Sequence, residues 1–237
     1  MSERNNDRVL IVGAGGLGVP AARALARTGV LDFGLIDPDP VELSNLPRQV
    51  LYGVSDIGTA KVIAAARRLR AMYPSACVST HDSALAAANA AEIISAYGFI
   101  VDATDNPATK FLINDTCIEL GRPFVYAGVL GMTGQAMTVI PGRSACLRCL
   151  FEEPPGADEI ASCRDAGIVG PVAGAIGEIE AAEAMRWIGG QMPALAGKML
   201  TYNAIGSRIR LTLIAARPGC GCGAANTAAR IGAPPAT

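Results

Sequence analysis

Three spaced glycines and one acid near the start of the chain have the types and spacing needed to bind a nucleotide. The segment GAGGLG, directly after the apolar run VLIV, contains Gly13, Gly15 and Gly18 in the spacing G-x-G-x-x-G, with Gly16 beside them. Such glycines let the backbone approach a phosphate, and the following helix presents unpaired N–H groups and a positive dipole end. Asp37 lies nineteen residues after Gly18, the spacing at which an acid accepts hydrogen bonds from the ribose hydroxyls. The pattern predicts a nucleotide site without separating NAD from ATP, and a tightly packed turn is the alternative.

Polar residues beyond Asp37 favour ATP. Asn45 and Arg48 lie in the loop that follows, and Lys61 begins the next predicted helix. A glycine loop already accommodates the pyrophosphate of NAD, whereas further cations suit a triphosphate, whose transfer depends on charge compensation. Each cation alone would be an ordinary solvated charge, so it is their order along the chain that predicts a triphosphate site.

The segment VDATDN places Asp102, Asp105 and Asn106 at the end of a predicted strand. Open α/β sheets bind ligands at this edge. A carboxylate there is able to hold Mg²⁺, which keeps few protein ligands and bridges phosphates. We therefore predict a magnesium ligand among the two acids and a nucleotide contact at Asn106.

Four of the seven cysteines form two close pairs. Cys146 and Cys149 are spaced C-x-x-C, and Cys220 and Cys222 are spaced C-x-C. Thiolate pairs far apart in a chain from a reducing compartment predict a Cys₄ structural zinc site. A site that has lost its metal, or that has become a redox pair, is the alternative.

The order of apolar and helical patterns predicts the architecture. Parallel strands are expected at VLIV, LDFGLID, CVST, FIVDATD and PFVYAGV, with helices at residues 19–28, 60–73, 84–97 and 106–120. GQAMTVI, KMLTYNA and RIRLTLI indicate antiparallel strands, and residues 170–188 indicate a long helix. We predict one Rossmann-like α/β domain over residues 1–223, with a parallel N-terminal half and a mixed or antiparallel C-terminal half of one continuous sheet. Residues 152–158 are expected to form a mobile loop, and residues 224–237 a disordered tail.

Composition narrows the class of protein. The chain has 237 residues, 51% of them hydrophobic, and a net charge of −1, which disfavours nucleic-acid and membrane partners. The absence of a long apolar run or an apolar leader predicts a cytoplasmic protein. The single histidine, His81, argues against His-dependent hydrolase triads and His-based metal sites. Cys77 and Cys117 are expected to be small core residues.

Taken together, the motifs resemble the MoeB/ThiF/HesA family, relatives of the ubiquitin-activating enzymes. The resemblance runs from about Arg8 to Gly223 and is carried by GAGGLG, DPDPVELSNLPRQ, AKV, DATDN, CLRC, SCRDAGIVGPVAGAIGEIEAAEA and the terminal Cys pair. It implies the Rossmann-like fold of those enzymes and ATP-dependent adenylation of the C-terminal glycine carboxylate of a ubiquitin-like sulfur carrier. Pyrophosphate would leave, and thiocarboxylate formation would follow, in thiamine, molybdopterin or secondary-metabolite biosynthesis.

The same resemblance assigns roles to residues of this chain. Asp37 would hold the ribose, and Asp105 would bind Mg²⁺. Asn45, Arg48 and Lys61 would hold the phosphates. Cys163 stands where the family often carries a cysteine that forms a thioester or persulfide-type link to the carrier, and the neighbouring arginine would favour the thiolate.

The resemblance also implies partners and leaves alternatives. It implies a carrier ending in Gly-Gly, a separate sulfur donor such as a cysteine desulfurase or a rhodanese, and a homodimer. The last cysteine pair is one residue shorter than the family's usual C-x-x-C. The family's N-terminal segment, whose arginine reaches the partner's ATP, has no evident counterpart before the first strand. A non-catalytic member that binds nucleotide or carrier is therefore an alternative, and an NAD-dependent oxidoreductase is a weaker one.

Overall fold

One eight-stranded mixed sheet forms the frame of the computed structural model, which describes residues 7–154 and 167–223. The strand order is β3-β2-β1-β4-β5-β6-β7-β8. Strands β1 to β5 are parallel, whereas the β5–β6, β6–β7 and β7–β8 pairs are antiparallel, as predicted. The strands are β1 (Val9–Val12), β2 (Asp32–Ile36), β3 (Cys77–His81), β4 (Phe99–Asp102), β5 (Phe124–Leu130), β6 (Thr133–Val139), β7 (Lys198–Asn203) and β8 (Arg208–Leu213).

Helices cover both faces of the parallel half, which explains why β1 is apolar throughout and β4 is apolar up to its last residue, Asp102. The helices are α1 (Gly18–Arg27), α2 (Lys61–Met72), α3 (Ala90–Ser95), α4 (Pro107–Leu120), α5 (Leu147–Leu150) and α6 (Gly170–Ile188). Val9 and Ile11 pack on the face that holds α1, α2 and α6. Leu10 and Val12 pack on the opposite face with α3 and α4. Alternate residues of a single strand therefore supply two cores.

Two local expectations were wrong. The helix predicted over residues 84–97 begins only at Ala90, because the Asn89 side chain bonds the Ala86 amide and the Ala84 carbonyl and so closes a turn instead. Cys77 is exposed rather than buried, since it opens β3 at the edge of the sheet. Cys117 is buried in α4, as expected.

The topology gathers the predicted site residues at one edge. The chain leaves β1 to pair first with β2 on one side and later with β4 on the other, which makes the carboxyl end of β1 a switch point of the sheet. The glycine loop follows β1, Asp37 follows β2, and Asp102 ends β4. The amide of Gly13 bonds the last carbonyl of β2, and the amide of Ala103 bonds the last carbonyl of β1, so these three ends are joined.

None of the helices in the described part of the chain combines the length and the apolar character needed to span a membrane.

Candidate functional site

Two of the glycines are required by the fold itself. Gly13 has φ of 100°, and a Cβ on it would lie 2.6 Å from the Ala103 carbonyl oxygen. A Cβ on Gly18 would lie only 1.8 Å from the Gly13 carbonyl oxygen. Any side chain at either position would push the loop away from β4 or from the start of α1.

The two central glycines are not explained by packing. A Cβ on Gly15 would meet nothing closer than the Gln49 Nε2 atom at 3.6 Å, and a Cβ on Gly16 would meet Ala173 at 3.5 Å. Both are ordinary contact distances, so the protein alone would tolerate alanine at these positions. Their missing side chains leave room for a ligand to approach the backbone, which favours binding over the alternative of a tightly packed turn.

Asp37 is fixed beside this loop. Its side chain is buried and accepts from the amides of Ala14 at 2.7 Å and Asp39 at 2.9 Å. Burial raises the pKa of Asp37 above its usual value of 3.8, while the Lys61 ammonium and the two amides oppose that rise. The carboxylate is thus an acceptor held in one orientation at the end of β2.

Lys61 begins α2 and directs its buried side chain at two acids. Its Nζ atom lies 2.8 Å from Asp39 Oδ2 and 3.8 Å from Asp37 Oδ1. The side chain of Asp39 is 63% exposed, so its pairing with Lys61 is open to solvent at the mouth of the pocket. Sequence reasoning missed Asp39, although its position in the repeated DPDP segment was a usable signal.

Arg48 and Asn45 lie on the loop that packs against the glycines. The Arg48 carbonyl oxygen and Cγ lie 3.7 Å and 4.0 Å from the point that a Cβ on Gly16 would occupy. The guanidinium donates to the Ser44 carbonyl at 2.9 Å, and no carboxylate in the described ranges forms an ion pair with it. Asn45 is buried and donates to the Ser44 hydroxyl at 3.3 Å. Arg48 therefore brings to the loop a positive charge that no acid among the described residues pairs with.

Two further residues brace the loop and were not predicted. The Tyr52 hydroxyl donates to the Ala14 carbonyl at 2.7 Å and lies 3.3 Å from the Lys61 carbonyl, so it ties the glycine loop to α2. Gln49 is buried beside Gly15, and its Oε1 atom has no hydrogen-bond partner among the described residues. Gln49 ends the NLPRQ motif, whereas nothing in the local pattern marks Tyr52.

The end of β4 separates the two candidate magnesium ligands. Asp102 is fully buried, and its Oδ1 atom accepts from the Thr104 amide and hydroxyl and from Lys110 Nζ at 3.2 Å. Asp105 is exposed three residues later, so it is the accessible carboxylate. The Asn106 side-chain oxygen accepts from two amides of the first turn of α4 and therefore caps that helix.

The four paired cysteines converge on one point. Their sulfur atoms all lie within 4.8 Å of one another. The Cys146–Cys149, Cys146–Cys220 and Cys149–Cys222 sulfur distances are 3.9, 3.7 and 3.6 Å. Four ligands at a Zn–S distance of about 2.3 Å in a tetrahedron stand about 3.8 Å apart, close to these three distances, so the set is suited to a zinc ion.

The shortened C-x-C pair does not prevent this convergence. Gly219 and Gly223, on either side of it, adopt φ of 78° and 69°, which residues with side chains rarely adopt. Burial, and next the neighbouring Cys222, raise the pKa of Cys146, whereas at Cys149 burial is outweighed by backbone and side-chain hydrogen bonds, which lower its pKa. Cys163, predicted to link to a carrier, lies outside the described residues.

Comparison with known proteins places the chain in a family. The ThiF family profile matches residues 2–223. The chain is 41% identical to the adenylyltransferase and sulfurtransferase MOCS3 of Sus scrofa over 217 residues, which are 91% of this chain and 48% of that protein. It is 38% identical to the sulfur carrier protein adenylyltransferase of Thermus thermophilus over 217 residues, 90% of this chain and 80% of that protein. The MOCS3 and Uba4 relatives are about twice as long as the part that this chain matches.

Solved structures show the same fold. Escherichia coli MccB in complex with ATP superposes with a TM-score of 0.81 at 22% identity, covering 92% of this chain and 67% of that one. PaaA superposes with a TM-score of 0.69 at 26% identity, covering 87% and 64%. The mixed sheet with a parallel first half is therefore an architecture already seen in crystals.

Proposed function

This chain belongs to the ThiF family, and we propose that it is an adenylyltransferase that uses ATP to activate the C-terminal glycine carboxylate of a small ubiquitin-like sulfur carrier. The relatives named above are adenylyltransferases, and one of them is named for a sulfur carrier protein. The observation that carries the proposal is an open glycine loop with the buried Asp37 bonded to it, Lys61 beside Asp37, and Arg48 packed against Gly16. The finer roles below are inferred from that geometry.

Asp37 would accept from the ribose hydroxyls, and Asn45, Arg48 and Lys61 would hold the phosphates. Arg48 has no carboxylate partner in the described structure, so a phosphate would find its charge uncompensated. Lys61 is paired with Asp39, whose side chain is exposed, so a phosphate oxygen would compete with that carboxylate for the ammonium. An NAD-dependent oxidoreductase would give neither cation a purpose, which is why we rank that alternative lower.

Adenylation fits the available chemistry. A carrier carboxylate oxygen would attack the α-phosphorus, a new O–P bond would form, and the bond to the β-phosphate would break to release pyrophosphate. A carboxylate is already ionised near pH 7, so the attack needs no general base and a pocket without histidine suffices. Mg²⁺ held by Asp105 would supply further charge compensation between the phosphates. Cys163 remains a candidate for the later link to the carrier.

Zinc at Cys146, Cys149, Cys220 and Cys222 would be structural. Four protein ligands close the coordination shell and leave no position for substrate. The two pairs follow β6 and β8 along the chain, so a shared metal would join segments that are more than seventy residues apart in sequence. We therefore expect it to act on stability rather than on the chemical step.

The carrier itself would dock on the edge strand of the sheet. Ile209, Leu211 and Leu213 alternate along one face of β8 and are 66%, 57% and 76% exposed. An exposed apolar stripe on an edge strand is suited to a partner that covers it. A homodimer, a separate sulfur donor and a cytoplasmic location remain predictions from the family resemblance.

Exchange of labelled pyrophosphate into ATP tests the proposal. The chain is incubated with ATP, Mg²⁺ and candidate small proteins that end in Gly-Gly, with a matched carrier lacking the last glycine as control. Exchange that depends on the intact carrier supports adenylation. Tight ATP binding with no exchange would favour the non-catalytic alternative, and NADH binding without ATP binding would favour the oxidoreductase.

A further inference from the structure

An arginine inside the cysteine motif reaches out of the metal site to a neighbouring helix. Arg148 stands between Cys146 and Cys149 and forms a two-pronged ion pair with Asp115 of α4. Its Nε donates to Asp115 Oδ1 at 2.7 Å, and its terminal nitrogen donates to Oδ2 at 2.7 Å. Such fork geometry fixes the orientation of both side chains, which a single-point contact does not.

A second bond beside it shows that the contact with α4 is built in. Asn114, only 1% exposed, accepts from the Leu147 amide at 2.9 Å and donates to Asp115 at 2.9 Å. The first turn after Cys146 is thus held by one buried bond, and the carboxylate that grips Arg148 is held by another. The guanidinium also lies 5.2 Å from the centre of the Phe111 ring, which packs against its face.

The same arginine holds the chain that leaves the motif. A further nitrogen of Arg148 donates to the Glu152 carbonyl at 2.8 Å, and the Glu152 side chain pairs with Arg217, just before the second cysteine pair. Arg148 therefore contacts α4 and the exit of the first cysteine pair, and Glu152 extends that link to the approach of the second pair.

The negative charge of four thiolates would explain why the Arg148 guanidinium is held beside them. A Zn²⁺ ion with four thiolates carries a net charge of about −2, which favours a nearby cation. Arg148 lines the same cleft of about 290 Å³ as Cys146, Cys220 and Cys222.

We propose that Arg148 is a positioning residue of the metal site: its guanidinium compensates the negative charge of the four thiolates and, through Asp115, fixes the first cysteine pair to helix α4. This inference rests on the zinc that we propose at the site, and not on the adenylation reaction. The metal would be held by four sulfurs, and its release would be slowed by one cation that touches none of the reacting groups.

The rate of zinc release to an excess of a chromogenic chelator tests this directly. Zinc content is first measured by mass spectrometry, and circular dichroism confirms that each variant is folded at the assay temperature. We expect Arg148→Ala to release zinc about 10- to 100-fold faster than the wild type, the usual effect of removing a partner outside the ligand shell. Arg23→Ala, which removes an exposed arginine of α1, should leave the rate unchanged.

Two more variants separate charge from orientation. Arg148→Lys keeps the charge but loses the fork, so it should recover part of the slow release, which a loss of packing alone would not predict. Asp115→Asn keeps the shape of the partner and should give a smaller acceleration; it also serves if Arg148→Ala does not fold. Wild-type release rates in both Arg148→Ala and Asp115→Asn would overturn the inference while leaving the zinc proposal standing. A folded wild type that binds no zinc would overturn both, without bearing on adenylation.

Discussion

The proposed nucleotide site and the four-cysteine site differ in how their charged groups are paired. In the first site, Arg48 has no acid partner in the described structure. Lys61 lies beside one exposed acid, Asp39, and one buried acid, Asp37. In the cysteine site, four sulfurs already stand at the spacing of a single metal ion. On our proposal, a nucleotide would complete the charges of the first site and then leave, whereas a metal ion would stay in the second.

Loss of a cysteine should have the largest effect, and it should fall on stability. Cys222→Ser removes one of four ligands, and we expect loss of bound zinc and a decrease of about 3–5 kcal/mol in the free energy of unfolding. Chemical denaturation, with zinc content measured on the same samples, checks this. Cys77→Ser is the matched control, because Cys77 is exposed and outside the cluster. Equal stability of the two variants would mean that the closed site does not hold the fold together.

Arg48→Ala should show the reverse pattern. We expect the rate of pyrophosphate exchange to fall about 10²- to 10³-fold, the usual cost of removing one charge-stabilising donor. Its guanidinium bonds a single backbone carbonyl, so the melting temperature should hardly change. Arg27→Ala, which breaks an exposed ion pair with Glu178, is the control for a lost surface arginine. Normal exchange in Arg48→Ala would remove the main argument for a triphosphate.

Asp105→Asn should slow pyrophosphate exchange without destabilising the fold. Because Asp105 is exposed and Asp102 is buried against Lys110, we expect only the Asp105 variant to be folded but slow, with exchange reduced about 10²-fold. Asp102→Asn would instead leave Lys110 buried without its acid and destabilise the protein. Pyrophosphate exchange, measured at a series of Mg²⁺ concentrations, separates the Asp105→Asn variant from the Asp102→Asn variant. Asp105→Asn with an unchanged magnesium requirement would be the contrary result.

The sequence predicted those parts of the two sites that local rules govern. The division of the sheet into a parallel and an antiparallel half, the glycine loop and the placement of Asp37 follow from periodicity and from the geometry of a βαβ unit, and the cysteine pairs follow from ligand spacing. The contacts of Asp39, Gln49 and Tyr52 form only because distant segments bring these residues beside Gly15 and Lys61. The DPDP and NLPRQ segments mark the first two residues, but nothing in the local pattern marks Tyr52. Cys77 was misplaced for the same reason, since its exposure depends on which strand forms the edge of the sheet.

A buried carboxyl group outside both sites should give the smallest effect when it is replaced. Glu180 is fully buried, and neither carboxyl oxygen has a hydrogen-bond partner among the described residues. Burial raises its pKa well above the usual value of 4.5, Asp102 adds to the rise and Lys110 opposes it. We expect Glu180→Met to stabilise the protein by about 1–3 kcal/mol near pH 7, because it removes an unpaired polar group from the core.

The pH dependence of that gain follows from the sign of the shift. The folded protein keeps the Glu180 proton when the unfolded chain has already lost it, so wild-type stability falls as pH rises above 4.5. The advantage of Glu180→Met should therefore grow with pH, as measured by denaturation at several pH values. Glu183 is the control, because its buried carboxylate accepts from Thr138 and two amides, and Glu183→Met should destabilise. A gain that does not vary with pH would contradict the assignment.

The most direct test of the central claim follows the α-phosphate of ATP. The chain is mixed with Mg²⁺, an intact Gly-Gly carrier and ATP labelled at the α-phosphorus, and the carrier is analysed under acidic conditions for an attached AMP. Attack at the α-phosphorus predicts that the label becomes bound to the carrier and that one pyrophosphate is released for each AMP attached. Label that appears only in ADP, or a carrier that stays unlabelled while ATP is bound, would contradict adenylation.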